Sequence, residues 1–101
     1  SILSESLEPN SFELNQNWPN PFNPTTTISF SLQKADFVQL TIFNMLGKQI
    51  RTLVNGEHNL GKHTFMWNGK NDSGTSVASG TYIYHLRVGQ RSESKQMLLI
   101  R

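Results

Sequence analysis

The sequence predicts an all-β fold, an antiparallel two-sheet sandwich of about seven short strands. Apolar and polar residues alternate in several short windows, as they do in strands with one buried face. Clusters of Gly, Asn, Asp and Pro separate these windows at intervals of about 8–12 residues. No stretch shows the 3.6-residue period of an amphipathic helix, and 101 residues suffice for one domain with a modest core.

The N-terminal residues differ in composition from the rest of the chain. Residues 1–10 are mostly Ser, Glu, Pro and Asn, with scattered apolar residues and no sustained period. This composition predicts an accessible linker to an upstream segment. We therefore expect the folded domain to span residues 11–101.

Four strands are predicted in the first half of the chain, at Phe12 to Leu14 and at residues 26–32, 37–43 and 48–54. The first is short, the second alternates without interruption, and the third follows a polar turn. Gly47 is predicted to adopt a positive φ in the turn before the fourth strand. Asn55 and Gly56 predict a turn after that strand, followed by a polar loop that ends at Gly61.

Three more strands are predicted at residues 63–68, 81–88 and 92–101. Phe65 and Trp67 share one face of the first of them, and Tyr82 and Tyr84 form a second row that faces the core. Residues 68–74 are the strongest loop signal, and a two-residue hairpin joins the last two strands. Seven short strands with frequent turns are typical of an immunoglobulin-like sandwich.

Three of the four prolines lie close together, at Pro19, Pro21 and Pro24. Proline fixes φ, removes a backbone donor and pushes the preceding residue toward extended geometry. The segment is therefore predicted to be a stiff lead-in that cannot pair as a central strand. We expect Trp18 to pack inward and anchor it, and the segment to close one end of the sandwich.

Charge and composition argue against several function classes. The net charge is +2, but the nine Lys and Arg residues are scattered singly, whereas nucleic-acid binding favours a basic cluster. There is no cysteine for a disulfide or a thiolate metal site. No apolar run is long enough to span a membrane. We expect no nucleic-acid partner and no direct membrane span.

The residues that could carry chemistry are sparse. His58, His63 and His85 lie in separate segments without a short ligand spacing, and are predicted to be ordinary surface histidines. Asp72 lies in the loop of residues 68–74, where Asn and Asp side chains bonding their own backbone are expected rather than a calcium site. No nucleophile elbow or pair of facing carboxylates is present. The sequence predicts a non-catalytic module without metal or cofactor.

A carbohydrate-binding accessory module is a further interpretation of a β-sandwich with aromatic residues. Such a module stacks exposed rings against sugar faces. Trp67 and Tyr82 belong to the rows predicted to face the core, so sugar binding would depend on Trp18 or Tyr84 being exposed.

Four segments, in order, resemble the type A C-terminal sorting domains of bacterial type IX secretion cargo and the related immunoglobulin-like module of flagellar hook-capping proteins: residues 14–28, 38–48, 67–82 and 95–101. The family-motif positions are Pro19, Asn20, Pro21, Phe22, Asn23, Pro24, Gly80 and Tyr82. The resemblance covers about residues 12–101. Trp18 stands where the family usually has Tyr, and Arg101 where Lys is common.

The resemblance implies a sorting signal on a larger exported protein. Such cargo passes through the periplasm, is recognised by an outer-membrane translocon and reaches the cell surface or the medium. In many members a sortase-like peptidase removes the domain at the preceding linker, which here would be residues 1–10. The sorting-signal residues would be Lys95, Gln96, Met97, Leu98, Leu99, Ile100 and Arg101.

The last strand is predicted to lie at a sheet edge, where unpaired backbone groups could receive a partner strand. The sequence therefore suggests that the translocon reads this strand and its basic end, while a monomeric sandwich holds them in place. The main alternative is a structural immunoglobulin-like module that serves assembly, as in hook-capping proteins.

Overall fold

The computed structural model describes residues 12–101, so the predicted linker of residues 1–10 lies outside the described residues. Residues 12–101 form seven strands: β1 (Phe12–Leu14), β2 (Thr26–Leu32), β3 (Asp36–Asn44), β4 (Gln49–His58), β5 (Gly61–Trp67), β6 (Gly80–Val88) and β7 (Arg91–Leu99). The strand alternation in the sequence located each of them to within a few residues. The predicted all-β fold is confirmed.

The strands form two antiparallel sheets. One sheet has three strands in the order β1-β2-β5, and the other has four in the order β4-β3-β6-β7. The chain changes sheet between β2 and β3, between β4 and β5, and between β5 and β6. Among the described strands, β7 therefore lies at an edge of the larger sheet.

The core lies between the two sheets and is built by the period-2 pattern. In β2 every second residue from Thr26 to Leu32 is buried, and β6 buries every second residue from Tyr82 to Val88. Each fully buried aliphatic or aromatic side chain contributes roughly 1.5–3 kcal/mol relative to an exposed one. The largest side chains with almost no exposed surface are Trp67, Tyr84, Phe22, Phe30, Ile28 and Leu40.

The predicted turn at Asn55 and Gly56 is wrong. Both residues lie inside β4, where Asn55 pairs with Gln39 and Gly56 with Val38. The ladder with β3 continues to His58 because each further residue gains a partner on that strand. The chain turns after β4, between the two sheets. The turn predicted at Gly47 is confirmed, with a φ of 84°.

The two ends of the sandwich differ in sequence content. At one end, β2, β4 and β6 begin and β3, β5 and β7 finish; we call this the motif end, because the four motif segments reach it. The opposite end, which we call the far end, carries the β2–β3, β4–β5 and β6–β7 connections. Within residues 12–101 there is no helix of the length and apolarity needed to cross a membrane.

Candidate functional site

The proline segment runs beside the last strand at the motif end. Phe22 forms a parallel bridge with Leu99. Its amide donates to the Leu98 carbonyl at 3.0 Å, and its carbonyl accepts from the Ile100 amide at 2.9 Å. The segment thus lies outside the sheet interior, as predicted, and supplies backbone partners to the edge of β7.

Two side chains of the same segment extend this contact. The Asn20 Oδ1 atom accepts from the Leu98 amide at 2.9 Å, and the Gln16 Nε2 atom donates to the Gln96 carbonyl at 2.7 Å. Residues 16–22, which we call the strap, therefore cover the C-terminal half of the β7 edge. Sequence reasoning missed this contact, because it joins positions about eighty residues apart.

A buried polar cluster holds the start of the strap. The Asn17 amide donates to the Tyr84 hydroxyl at 2.8 Å, and that hydroxyl donates to the Asn15 carbonyl at 2.7 Å. The Asn17 Nδ2 atom donates to Thr26 Oγ1 at 3.0 Å, and the Thr26 hydroxyl donates to the Pro19 carbonyl at 2.8 Å. Burial raises the pKa of Tyr84 to about 12, although the hydrogen bond from Asn17 opposes this. The cluster ties the strap to both sheets.

An aromatic column connects the strap to the two sheets. The ring centroids of Phe22 and Trp67 are 5.7 Å apart, and those of Trp67 and Tyr82 are 5.4 Å apart. The Trp67 Nε1 atom donates to the Lys70 carbonyl at 2.9 Å, and the Tyr82 hydroxyl to the Ala78 carbonyl at 2.6 Å. Burial raises the pKa of Tyr82, against a lowering effect of the nearby Arg101 charge. The predicted inward rows of Trp67 and Tyr82 are confirmed.

The prediction that Trp18 anchors the proline segment is wrong. Its side chain is 78% exposed, whereas Phe22 is 2% exposed. The Trp18 backbone pairs with Thr27 in an isolated bridge. Because Thr27 lies on the outer face of its sheet, the paired Trp18 side chain points to the same outer face. Phe22 is the anchor instead, and Tyr84, the other aromatic considered for sugar stacking, is buried.

The loop that follows Trp67 is held by its own asparagines and by β4. The Asn71 Oδ1 atom accepts from the amides of Ser73 and Thr75, as predicted for an Asn-rich turn. The Asp72 carboxylate instead accepts from the Thr52 amide at 3.1 Å, on an irregular part of the β4 edge. Asp72 therefore docks the loop on the sheet.

Arg101 joins the end of the chain to this loop. Its guanidinium donates to the carbonyls of Gly69 and Val77, both at 2.6 Å, and its amide donates to Ser79 Oγ at 2.9 Å. A Cβ at Gly69 would lie 2.7 Å from the Arg101 Nη2 atom, and the φ of Gly69 is +74°. The positive φ therefore favours glycine there, and a Cβ would also displace the Arg101 guanidinium.

The seven predicted sorting residues divide between the two faces of the sheet. Met97 and Leu99 are buried in the core, and Gln96, Leu98 and Ile100 are exposed. Lys95 is half-buried, with its Nζ atom 3.7 Å from a Glu93 oxygen.

The family-motif residues lie mostly on the surface. Pro21, Asn23 and Pro24 are exposed, and Gly80 begins β6 opposite Leu99.

Two histidines come together at the far end. The ring centroids of His58 and His63 are 5.0 Å apart, with the rings nearly perpendicular. Both rings lie near Phe30, and His58 also lies near Phe65. Both rings are half-buried, so these are packed residues rather than free surface histidines. Among residues 12–101, no group of three or more His, Asp or Glu side chains could hold a metal ion.

Seven strands in antiparallel sheets of three and four strands, packed around one core, form an immunoglobulin-like sandwich. Residues 16–92 match the family model of the FlgD Ig-like domain. The chain belongs to this family. The sequence-based resemblance to the immunoglobulin-like module of hook-capping proteins is confirmed, and the resemblance to sorting domains stays a prediction.

Two kinds of known protein resemble this chain, a flagellar protein and two proteins of Porphyromonas gingivalis. The chain is 46% identical to the basal-body rod modification protein FlgD of Salmonella typhimurium over 59 residues, which are 57% of this chain and 25% of that protein. It spans about a quarter of the length of the curated relatives that it matches.

Two solved structures from Porphyromonas gingivalis are also similar. Dimeric latent PorU has a TM-score of 0.72 at 16% identity, covering 88% of this chain and 9% of that chain. PorZ, described as an essential surface component of the type IX secretion system, has a TM-score of 0.57 at 26% identity, covering 85% and 11%. The likeness to PorU concerns the fold alone.

Proposed function

We propose that the chain is a non-catalytic assembly module of a larger protein. The observation that carries this proposal is its membership of the FlgD Ig-like family, with 46% identity to a rod modification protein. In that role the sandwich presents a rigid end to a neighbouring subunit, while other parts of the parent protein provide further contacts.

The use of the motif residues supports an assembly role. Phe22, Trp67, Tyr82 and Arg101 make contacts within the motif end instead of converging on an open pocket. Their hydrogen bonds and ring contacts fix the loop of residues 68–79 and the strap in one arrangement. A fixed arrangement of loops lowers the entropy cost of docking on a partner.

A domain exchange tests the assembly role. The matched region of FlgD in Salmonella typhimurium is replaced by the corresponding region of this chain, in a strain that lacks its own FlgD. We expect flagella to assemble, as counted by electron microscopy, because the exchanged regions share a fold. A folded and stably accumulating chimera that yields no flagella would contradict the proposal.

Sorting through a type IX translocon is the second candidate, supported by the 26% identity to PorZ over 85% of the chain. In this role the module directs exported cargo through the periplasm to the cell surface. Its partners would be the outer-membrane translocon and a sortase-like peptidase that cuts within residues 1–10.

The strap changes the mechanism that the sequence suggested for sorting. The backbone groups of Leu98 that face outward, and the Ile100 amide, already have partners on the strap. Strand addition at this half of β7 would require the strap to leave. Recognition by the exposed Leu98 and Ile100 side chains needs no such rearrangement.

A reporter fusion in Porphyromonas gingivalis tests sorting. We expect Leu98→Ser with Ile100→Ser to hold the reporter in the periplasm, although both changes leave Met97 and Leu99 in the core. Leu60→Ser, at the far end, is the matched control and should still be delivered. Circular dichroism checks that each variant folds. Normal surface delivery of the double variant would contradict this sorting mechanism.

A further inference from the structure

The exposed large apolar side chains of residues 12–101 are concentrated at the motif end. They are Trp18, Met45, Leu46, Met66, Leu98 and Ile100, whereas Phe37 and Leu60 lie toward the far end. Leu46 is 93% exposed at the tip of the β3–β4 turn. Exposed apolar side chains that are scattered singly are normal on a protein surface. A group of them at one end instead marks an interaction surface.

Basic residues accompany these apolar side chains. Lys48, Arg51, Lys70 and Arg101 lie at the motif end. Of the described acidic residues only Asp72 lies there, and its carboxylate already accepts from the Thr52 amide. The motif end is therefore positively charged, which selects a negatively charged partner.

Four of the apolar side chains form two separate groups at the motif end. Leu46 and Met45 occupy a turn that extends beyond the larger sheet, next to Lys48. Trp18 and Met66 flank Thr27 on the outer face of the smaller sheet, by the strand register. Two separate apolar groups at a positively charged end suit a soft and fluid surface better than a shaped protein groove.

We propose that the motif end docks on the surface of a lipid bilayer that contains anionic phospholipid. Leu46 and Met45 enter the acyl boundary, Trp18 lies at the headgroup level where its amphipathic ring is favoured, and Lys48 and Lys70 contact the phosphates. The sandwich stands on this end, and the far end points away from the bilayer.

Vesicle partitioning of the 101-residue chain tests the docking. Vesicles of phosphatidylcholine are compared with vesicles that also contain phosphatidylglycerol, by co-sedimentation. We expect at least tenfold stronger partitioning into the anionic vesicles. The tryptophan emission should shift to the blue on binding. The shift can be assigned to Trp18 because the other tryptophan, Trp67, is already fully buried. Trp18→Phe removes this shift.

Matched substitutions at the two ends locate the contact. Leu46→Glu should weaken partitioning at least tenfold, whereas Leu60→Glu, which changes a 69% exposed leucine at the far end, should change it less than twofold. Lys48→Gln and Lys70→Gln should each cost about fivefold. Lys62→Gln, toward the far end, is their control.

The outcomes separate the possible partners. No partitioning into anionic vesicles would overturn the proposal and assign the charged apolar end to an acidic protein surface. Equal weakening by Leu46→Glu and Leu60→Glu would also overturn it, because binding would then not involve the motif end. Melting temperatures close to that of the unchanged chain confirm that the variants are folded.

Discussion

Two aromatic residues of the proline segment show that residue type alone does not decide which side chain is buried. Trp18 and Phe22 both lie next to prolines and both have large apolar side chains, yet only Phe22 enters the core. The direction of each side chain depends on which strand its backbone pairs with. Trp18 pairs with Thr27 on the outer face, and Phe22 pairs with Leu99 beside the core. The sequence contains no local signal for this choice.

Replacing the buried aromatic should destabilise the domain strongly. Phe22→Ala removes the ring that packs on Trp67, and we expect the free energy of unfolding to fall by about 3–5 kcal/mol. Trp18→Ala, in the same segment, should change it by less than about 0.5 kcal/mol because the side chain is exposed. Urea denaturation measures both. Equal losses would contradict the assignment of Phe22 as the anchor.

The titration of Tyr84 should be visible in the stability of the domain at high pH. Its pKa is about 12 in the folded chain, above the ordinary value of 10.0 for tyrosine. Between these values the unfolded chain loses the proton and the folded chain keeps it. The stability that is present below about pH 10 is therefore lost as the pH rises toward 12.

The absorbance of tyrosinate tests this directly. The chain contains two tyrosines, so the variant Tyr84→Phe leaves one ionisation to compare with. We expect Tyr84 to ionise near pH 12, and Tyr84→Phe to remove that transition. An ionisation of Tyr84 at its ordinary value in the folded chain would show that the hydroxyl is open to water.

At the scale of the element, regular alternation predicted the strands well, and local turn signals were less dependable. The second strand was located correctly because its period of two is uninterrupted. Asn55 and Gly56 form a common turn pair, but pairing with Gln39 and Val38 keeps both in β4. Long-range pairing outweighs a local preference of this size, and the sequence does not specify the pairing.

The loop of residues 68–79 gives a prediction at the element scale. Asp72→Ala removes the acceptor of the Thr52 amide, and we expect a loss of about 1 kcal/mol of stability together with faster amide exchange at Thr52. Ser73→Ala, at the exposed neighbouring position, is the control and should leave Thr52 unchanged. If Thr52 exchanges at the same rate in both variants, the loop is not held by Asp72.

At the scale of the whole molecule, the four motif segments build one end of the sandwich. The sequence predicted the fold, the core rows and the closure of one end by the proline segment. It did not predict that the strap would cover β7, since Asn20 and Leu98 are 78 positions apart. A separation of 32 positions likewise hid the contact of Arg101 with Gly69. The proposed roles in assembly, sorting and membrane docking all depend on what this end leaves exposed.

Amide hydrogen exchange along β7, followed by NMR, tests the covering of this edge most directly. The amides of Leu98 and Ile100 face outward, and the strap is their partner. We expect them to exchange at least tenfold more slowly than those of Ser92 and Ser94 on the same edge, and Asn20→Ala to remove this protection at Leu98 while Asn23→Ala leaves it. Exchange at Leu98 and Ile100 as fast as at the two serines would contradict the closed motif end.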